Sequence, residues 1–216
     1  MKIIRTLCLA FSMYSRIPMP ILEYTEDDMR YTFLAFPLIG VIIGAVQYVW
    51  YILCNMLGTG TSLYAAVAVV LPLCITGGFH MDGYLDTTDA LSSHREKERK
   101  LEILKDSHVG AFAVIWTGVY LLVSYGLYTE ISGKAAILCT SAGFVLSRAT
   151  SGLAAIHFPS ATGRSSLASF AQAGDRTIVK IGLWIWIIVT FVSLICFDKV
   201  YGTGILAVLA VWYGYY

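Results

Sequence analysis

Charge is scarce in this chain: Asp, Glu, Lys and Arg make up 13% of its 216 residues, where a soluble domain carries about a quarter. With 57% hydrophobic residues and a positive mean hydropathy, that scarcity excludes an ordinary soluble globule and implies an integral membrane protein. The formal net charge of +1 offers no basic excess, so nothing in the overall balance points to a partner such as nucleic acid, none is expected, and the lipid bilayer is the expected surrounding. Paired cysteines are also missing. The five cysteines, at 8, 54, 74, 139 and 196, stand singly among apolar residues with neither metal nor redox spacing, which excludes a disulfide framework and leaves them as small buried hydrophobes. Internal repeats and low-complexity stretches are absent as well.

What is present is a series of long apolar runs. Residues 1–30 carry Lys2, Arg5 and then Arg16-Ile17-Pro18-Met19-Pro20; without a small-residue cleavage site they read as an amphipathic interfacial start, with Arg5 and Arg16 reaching headgroups or an anionic ligand. Thr25-Glu26-Asp27-Asp28 reads as a helix N-cap with acids in the first turn. Spans are expected at about Tyr31 to Leu57, Leu63 to Ile75, Val109 to Tyr128, Ala135 to Ile156 and Ile178 to Phe197, and a sixth starts near Val200 and meets the chain end. The second is short, interrupted by Pro72 and Gly77-Gly78, and opens into a polar cavity. Residues 90–107 form the one strongly charged run, with Ser93-x-x-Glu96 as a capping box for an exposed helix.

The expected fold class is therefore all-α, a single polytopic membrane domain over 1–216 with about six transmembrane helices. Lys and Arg outside the spans number four in 1–30, none in 58–62, five in 79–108, one in 129–134, two in 157–177 and one in 198–199. By the positive-inside rule the N-terminus, the 79–108 loop and the 157–177 loop are cytoplasmic.

One stretch concentrates the chemistry: Gly77-Gly78-Phe79-His80-Met81-Asp82-Gly83-Tyr84-Leu85-Asp86-Thr87-Thr88-Asp89. On a helix, Asp82, Asp86 and Asp89 at i, i+4 and i+7 share one narrow stripe, where three carboxylates repel unless a hard divalent cation, Lys and Arg side chains or protonation neutralise them. A solvated charged face is the plainer reading. Beside membrane-embedded neighbours, ionisable residues mark a functional site by default, and spacing favours an oxygen-ligand metal site. It does not name a reaction. Arg148 falls inside an otherwise apolar span, where it costs ~2.5–3.5 kcal/mol unless it finds water or a partner, an aspartate pair being the structural option. His108 and His157 lie at span boundaries, and His94 belongs to the charged surface.

Further along, Leu101-Glu102-Ile103-Leu104-Lys105-Asp106-Ser107-His108-Val109-Gly110 brings another carboxylate and a lysine to the third span. Together with Gly77-Gly78-x-His80-x-Asp82-Gly83-x-x-Asp86-x-x-Asp89, Arg16-Ile17-Pro18-x-Pro20, Phe36-Pro37-Leu38-Ile39-Gly40 and Leu146-Ser147-Arg148, it closely resembles the cobalamin synthase family, the adenosylcobinamide-GDP ribazoletransferases, over essentially the whole chain. The resemblance implies an inner-membrane, multi-pass transferase whose acidic site faces the cytoplasm. Its cofactor would be Mg2+, and its substrates adenosylcobinamide-GDP and α-ribazole or its 5′-phosphate. GMP is released and adenosylcobalamin or its phosphate is formed.

It further implies Asp82, Asp86, Asp89 and Asp106 as magnesium ligands, with Asp82, Asp86, Asp89 and His80 in catalysis. Lys105, Arg148, Arg164 and Arg16 would hold substrate, since phosphoryl transfer is mostly positioning and charge neutralisation. Members of the family continue past the sixth span with a Gly-Asp-containing acidic motif, and the 216 residues stop before one; a cut-short, weakly active chain is the corresponding expectation. Two other readings stay open. A CDP-alcohol phosphotransferase would show Ala-Arg after its Asp-Gly, which is absent here; a cation-coupled transporter would show inverted repeats and acids at mid-membrane. Composition leaves the oligomeric state open, a homo-oligomer included.

Overall fold

The computed structural model describes residues 2–158, 176–198, 200 and 204, and every regular element among them is helical. In chain order these are α1 (Lys2–Tyr14), α2 (Glu26–Met29), α3 (Thr32–Leu57), α4 (Thr61–Thr76), α5 (Phe79–Ser92), α6 (Lys97–Ile103), α7 (Ala111–Glu130), α8 (Gly133–His157) and α9 (Arg176–Phe197). Helices α3, α7, α8 and α9 are each long and apolar enough to cross a membrane, and α4 with α5 makes a fifth crossing if that bent pair is one span. The protein is a multi-pass membrane protein. The expected sixth span, from Val200 onward, lies outside the described residues except for Val200 and Gly204.

The axis of the bundle is the pairing of α3 with α8, and glycine makes it close. A Cβ on Gly40 would strike the backbone of Phe144, and one on Gly44 would meet Ser141 at 2.9 Å. The serine hydroxyl donates back to the Gly44 carbonyl at 3.0 Å, so small residues and one hydrogen bond replace the hydrophobic drive that a lipid solvent does not supply. Helix α9 closes on this pair through Val179, Leu183 and Ile187, which join Phe33, Phe36, Ile39, Ile43, Leu146 and Leu153 in one buried cluster. A smaller cluster of Cys54, Tyr64, Ala68 and Ile137 ties in α4. There Gln47, fully buried in α3, donates to the Ala68 carbonyl at 2.6 Å and lies 3.4 Å from the Tyr128 hydroxyl.

Several local expectations change. Pro72 sits inside α4 without ending it; the helix stops at Gly77, whose φ of +65° caps α4, and Gly78 at φ +80° starts α5. Two consecutive left-handed residues, open at little cost only to glycine, turn the chain by 97°. Ser93 does not box the start of α6. It is the C-cap of α5, its hydroxyl donating to the Ala90 carbonyl at 2.7 Å, and Glu96 is the N-cap of α6. Thr25 is the expected N-cap and closes a capping box with Asp28, but on the four-residue α2. Arg5 turns inward instead of to headgroups: its guanidinium donates to Asp28 at 3.0–3.2 Å and to the Glu23 carbonyl. That pairing holds the Asp28 carboxyl down at about 2, helped by the Thr25 amide, and raises Arg5 above its ordinary value.

Candidate functional site

Helix α5 carries the aspartates as the spacing predicts, and the 97° turn lays it across the end of α4 instead of prolonging it. Its start is held from two sides. The segment after α1 crosses it, the Arg16 amide donating to the Ile75 carbonyl at 2.8 Å while the Arg16 side chain covers Gly77 so closely that a Cβ there would collide with it. Beneath, the rings of Tyr14, Phe36, Phe79 and His80 pack edge to face or tilted at 4.6–5.7 Å. Farther along, α5 leans on α7: the Tyr84 hydroxyl donates to the Trp116 carbonyl at 3.3 Å, and its ring lies 5.7 Å from Tyr120.

Two clefts flank the start of α5. One, of about 590 Å3, is lined by Ser15, Arg16, Gly77, Gly78, Asp82 and Leu85 among others. The second, of about 400 Å3, is lined by His80, Tyr84, Tyr120, Phe144, Ser147 and Arg148 among others. Thr76 and Met81 belong to both, so they form the common wall. Arg148 is only 6% exposed, yet no ion pair reaches it among the described residues. The expected aspartate pair is therefore not what holds it there. Its Nη1 donates to the Phe144 carbonyl at 3.4 Å, its guanidinium lies 5.6 Å over the Phe144 ring, and its Nε has no partner. A further cleft between α1 and α3, of about 460 Å3, is lined mainly by Ile3, Leu7, Leu34 and Leu38 and holds none of the acids.

The acids are answered differently. Asp82 faces the Arg16 cleft, and both Asp82 and Asp89 act electrostatically on Asp86 between them. Asp89 lies against Gly110, the N-cap of α7, where a Cβ would run into its carboxylate; the positive end of the α7 dipole favours an anion there. Asp106 turns instead to His108, whose backbone amide donates at 3.0 Å and whose ring nitrogen lies at 2.6 Å, and those contacts lower it below the usual carboxylate range. Lys105 is exposed, and Arg164 lies outside the described residues.

No three His, Cys, Asp or Glu side chains close into a metal cage among the described residues. Hard carboxylate oxygens spread along one stripe nonetheless fit magnesium, which keeps several waters and takes one or two carboxylates plus substrate phosphate oxygens. Sequence reasoning missed Tyr84, Tyr120, Thr140 and Gly110. Thr140, Ser147 and Arg148 at i, i+7 and i+8 were a readable polar face on α8, whereas Gly110 carried no signal of its own.

Residues 6–216 match the family described as cobalamin-5-phosphate synthase. The chain belongs to that family. It is 44% identical over 195 residues to an adenosylcobinamide-GDP ribazoletransferase of Lachnoclostridium phytofermentans, covering 90% of this chain and 74% of that one. A Clostridium perfringens protein of the same name is 35% identical over 191 residues, covering 86% and 76%; one from Clostridium botulinum is 40% identical over 125 residues, covering 58% and 50%. No solved structure matches. For a cobalamin-5-phosphate synthase family member, the paired clefts and acidic stripe sit where the motifs Gly77 to Asp89, Arg16 to Pro20 and Leu146 to Arg148 converge.

Proposed function

We propose that the chain is a membrane transferase that joins α-ribazole, or its 5′-phosphate, to adenosylcobinamide-GDP with release of GMP. The observation that carries this reading is the pair of clefts sharing Thr76 and Met81, each with its own arginine and with the acidic helix between them. A two-substrate displacement needs two sites meeting at one reacting atom. The corrinoid nucleotide is assigned to the larger cleft, where Arg16 faces its diphosphate and Gly77-Gly78 let the backbone approach.

A ribose hydroxyl of the acceptor attacks the phosphorus on the cobinamide side. The new P–O bond forms as the bond to the bridging oxygen breaks, and GMP leaves with that oxygen. When the acceptor is the 5′-phosphate, its 5′ oxygen is already esterified, so a ring hydroxyl is the nucleophile. His80, which lines the smaller cleft, takes the hydroxyl proton. Asp82 and Asp86 would hold magnesium, which when bound supplies neutralising charge for the diphosphate. Asp89, seated at the start of α7, fixes the angle of α5. The Lys and Arg distribution supports a reading in which these groups face the cytoplasm, and the family resemblance supports a bacterial inner membrane.

The test is GMP release by membranes holding the protein, given adenosylcobinamide-GDP, α-ribazole and magnesium. Release that needs both the acceptor and magnesium is expected. No GMP under those conditions, from well-inserted protein, would overturn the reading.

A further inference from the structure

We propose that the cleft between α1 and the start of α3 is a discrete phospholipid site, in which Arg30 holds the phosphodiester of a bilayer glycerophospholipid and an acyl chain lies between the two helices. This cleft shares no residue with either cleft at α5, so lipid binding there stands whether or not the proposed reaction does. Its walls are two facing stripes. Ile3, Thr6 and Leu7 stand at i, i+3 and i+4 on α1, while Leu34 and Leu38, one turn apart on α3, follow Arg30 at intervals of four. From Arg30 to Leu38 the lining therefore passes from a cation to hydrocarbon, the polarity order of a phospholipid.

The cation is free for such a ligand. Arg30 is exposed, no carboxylate pairs with it among the described residues, and its guanidinium lies 5.9 Å over the Tyr31 ring at the edge of the cleft. The contact with headgroups expected of Arg5 falls to Arg30, since Arg5 is spent on Asp28. Both walls are held in place. Arg5 and the buried Leu9 tie α1 to Asp28 and to the main cluster, the Leu34 carbonyl accepts from Trp186 Nε1 at 3.1 Å, and the Leu34 side chain abuts Gly182 of α9 so closely that a Cβ there would strike it. About 460 Å3 is too little for a further helix, which is about 10 Å across, but admits a hydrocarbon chain. A lipid tail entering the cleft leaves one apolar surrounding for another, so the bond between guanidinium and phosphate is what distinguishes a bound lipid from its neighbours.

Native mass spectrometry of the purified full chain in dodecyl maltoside, titrated with dioleoyl phosphatidylglycerol, tests this. The wild type should take up one lipid at a saturable site, and dioleoylglycerol, which keeps the chains and lacks the phosphate, should bind about tenfold or more weakly. Glycerol 3-phosphate, which keeps the phosphate and lacks the chains, should not displace the lipid. Arg30→Gln should weaken uptake about tenfold, Thr6→Trp should weaken it by filling the cleft, and Lys97→Gln on the exposed α6 should leave it unchanged. Absence of saturable uptake, equal binding of dioleoylglycerol, or uptake unaltered by Arg30→Gln would overturn the assignment. So would displacement by glycerol 3-phosphate, which would make this a soluble-anion site, or a loss in Lys97→Gln equal to that in Arg30→Gln, which would mean a general attraction of charge. Thr6→Trp decides the matter if Arg30→Gln fails to fold, because uptake unaltered by a filled cleft would put the lipid elsewhere on the surface.

Discussion

Each carboxylate on α5 meets a different environment, so the three should not respond alike to loss of charge. Asp82 faces the Arg16 cleft and Asp86 sits between two like charges, which makes these two the residues whose ionised forms most need a cation. Asp82→Asn and Asp86→Asn should each cost about a hundredfold or more in turnover and raise the magnesium needed for half-maximal GMP release. The double variant should be little worse than either single, because both act through one neutralised site. A merely solvated face predicts losses within ~0.5 kcal/mol that add and ignore magnesium. Measuring GMP release against magnesium concentration for the two singles and the pair separates these outcomes.

At the level of the element, the turn between α4 and α5 sets the direction of the whole acidic stripe. Gly77 and Gly78 are both left-handed, but only at Gly77 would a Cβ also strike Arg16; at Gly78 it meets nothing within 4 Å. Gly78→Ala should therefore cost only the backbone strain, about 1–2 kcal/mol. Gly77→Ala should cost more and also lower turnover by displacing Arg16, which thermal unfolding and GMP release on the same preparations would show. Equal behaviour of the two would mean that Arg16 is not held against the turn.

The anchoring of α1 is a second element-scale matter. Asp28 is held below its ordinary value, so its ionised form stabilises the fold fully above about pH 4, and that contribution disappears as pH falls through about 2. Thermal melts between pH 5 and pH 2 should lose a wild-type increment that Asp28→Asn, already lacking it, does not lose.

Across the whole molecule, the crossings determine which end faces which compartment. Helix α4 has 16 residues, about 24 Å of rise against a hydrocarbon core of about 30 Å, and α5 turns 97° away from it, so α4 is a short crossing that brings the start of α5 close to the membrane boundary. A reporter placed within 92–100 should respond from the cytoplasm and one within 58–61 from the opposite side. A reporter at 92–100 responding from outside would separate the acids from a cytoplasmic nucleotide-activated substrate and would undo the proposed reaction.

The sequence alone determined the all-helical membrane class, the bounds of α3, α7, α8 and α9 to within a few residues, and the stripe of Asp82, Asp86 and Asp89, because hydropathy and helical period are local properties. It could not show that Arg5 answers Asp28, that Asp89 seats on Gly110 or that Asp106 turns to His108, since those partners are chosen by helix packing. Nor could it distinguish an Arg148 paired with an aspartate from one lining a cleft without any carboxylate. That was settled by the close approach of α8 to α3 at Gly40 and Gly44 and by the 97° turn at Gly77-Gly78, which together leave the guanidinium facing His80 and the tyrosines while the acids of α5 point elsewhere.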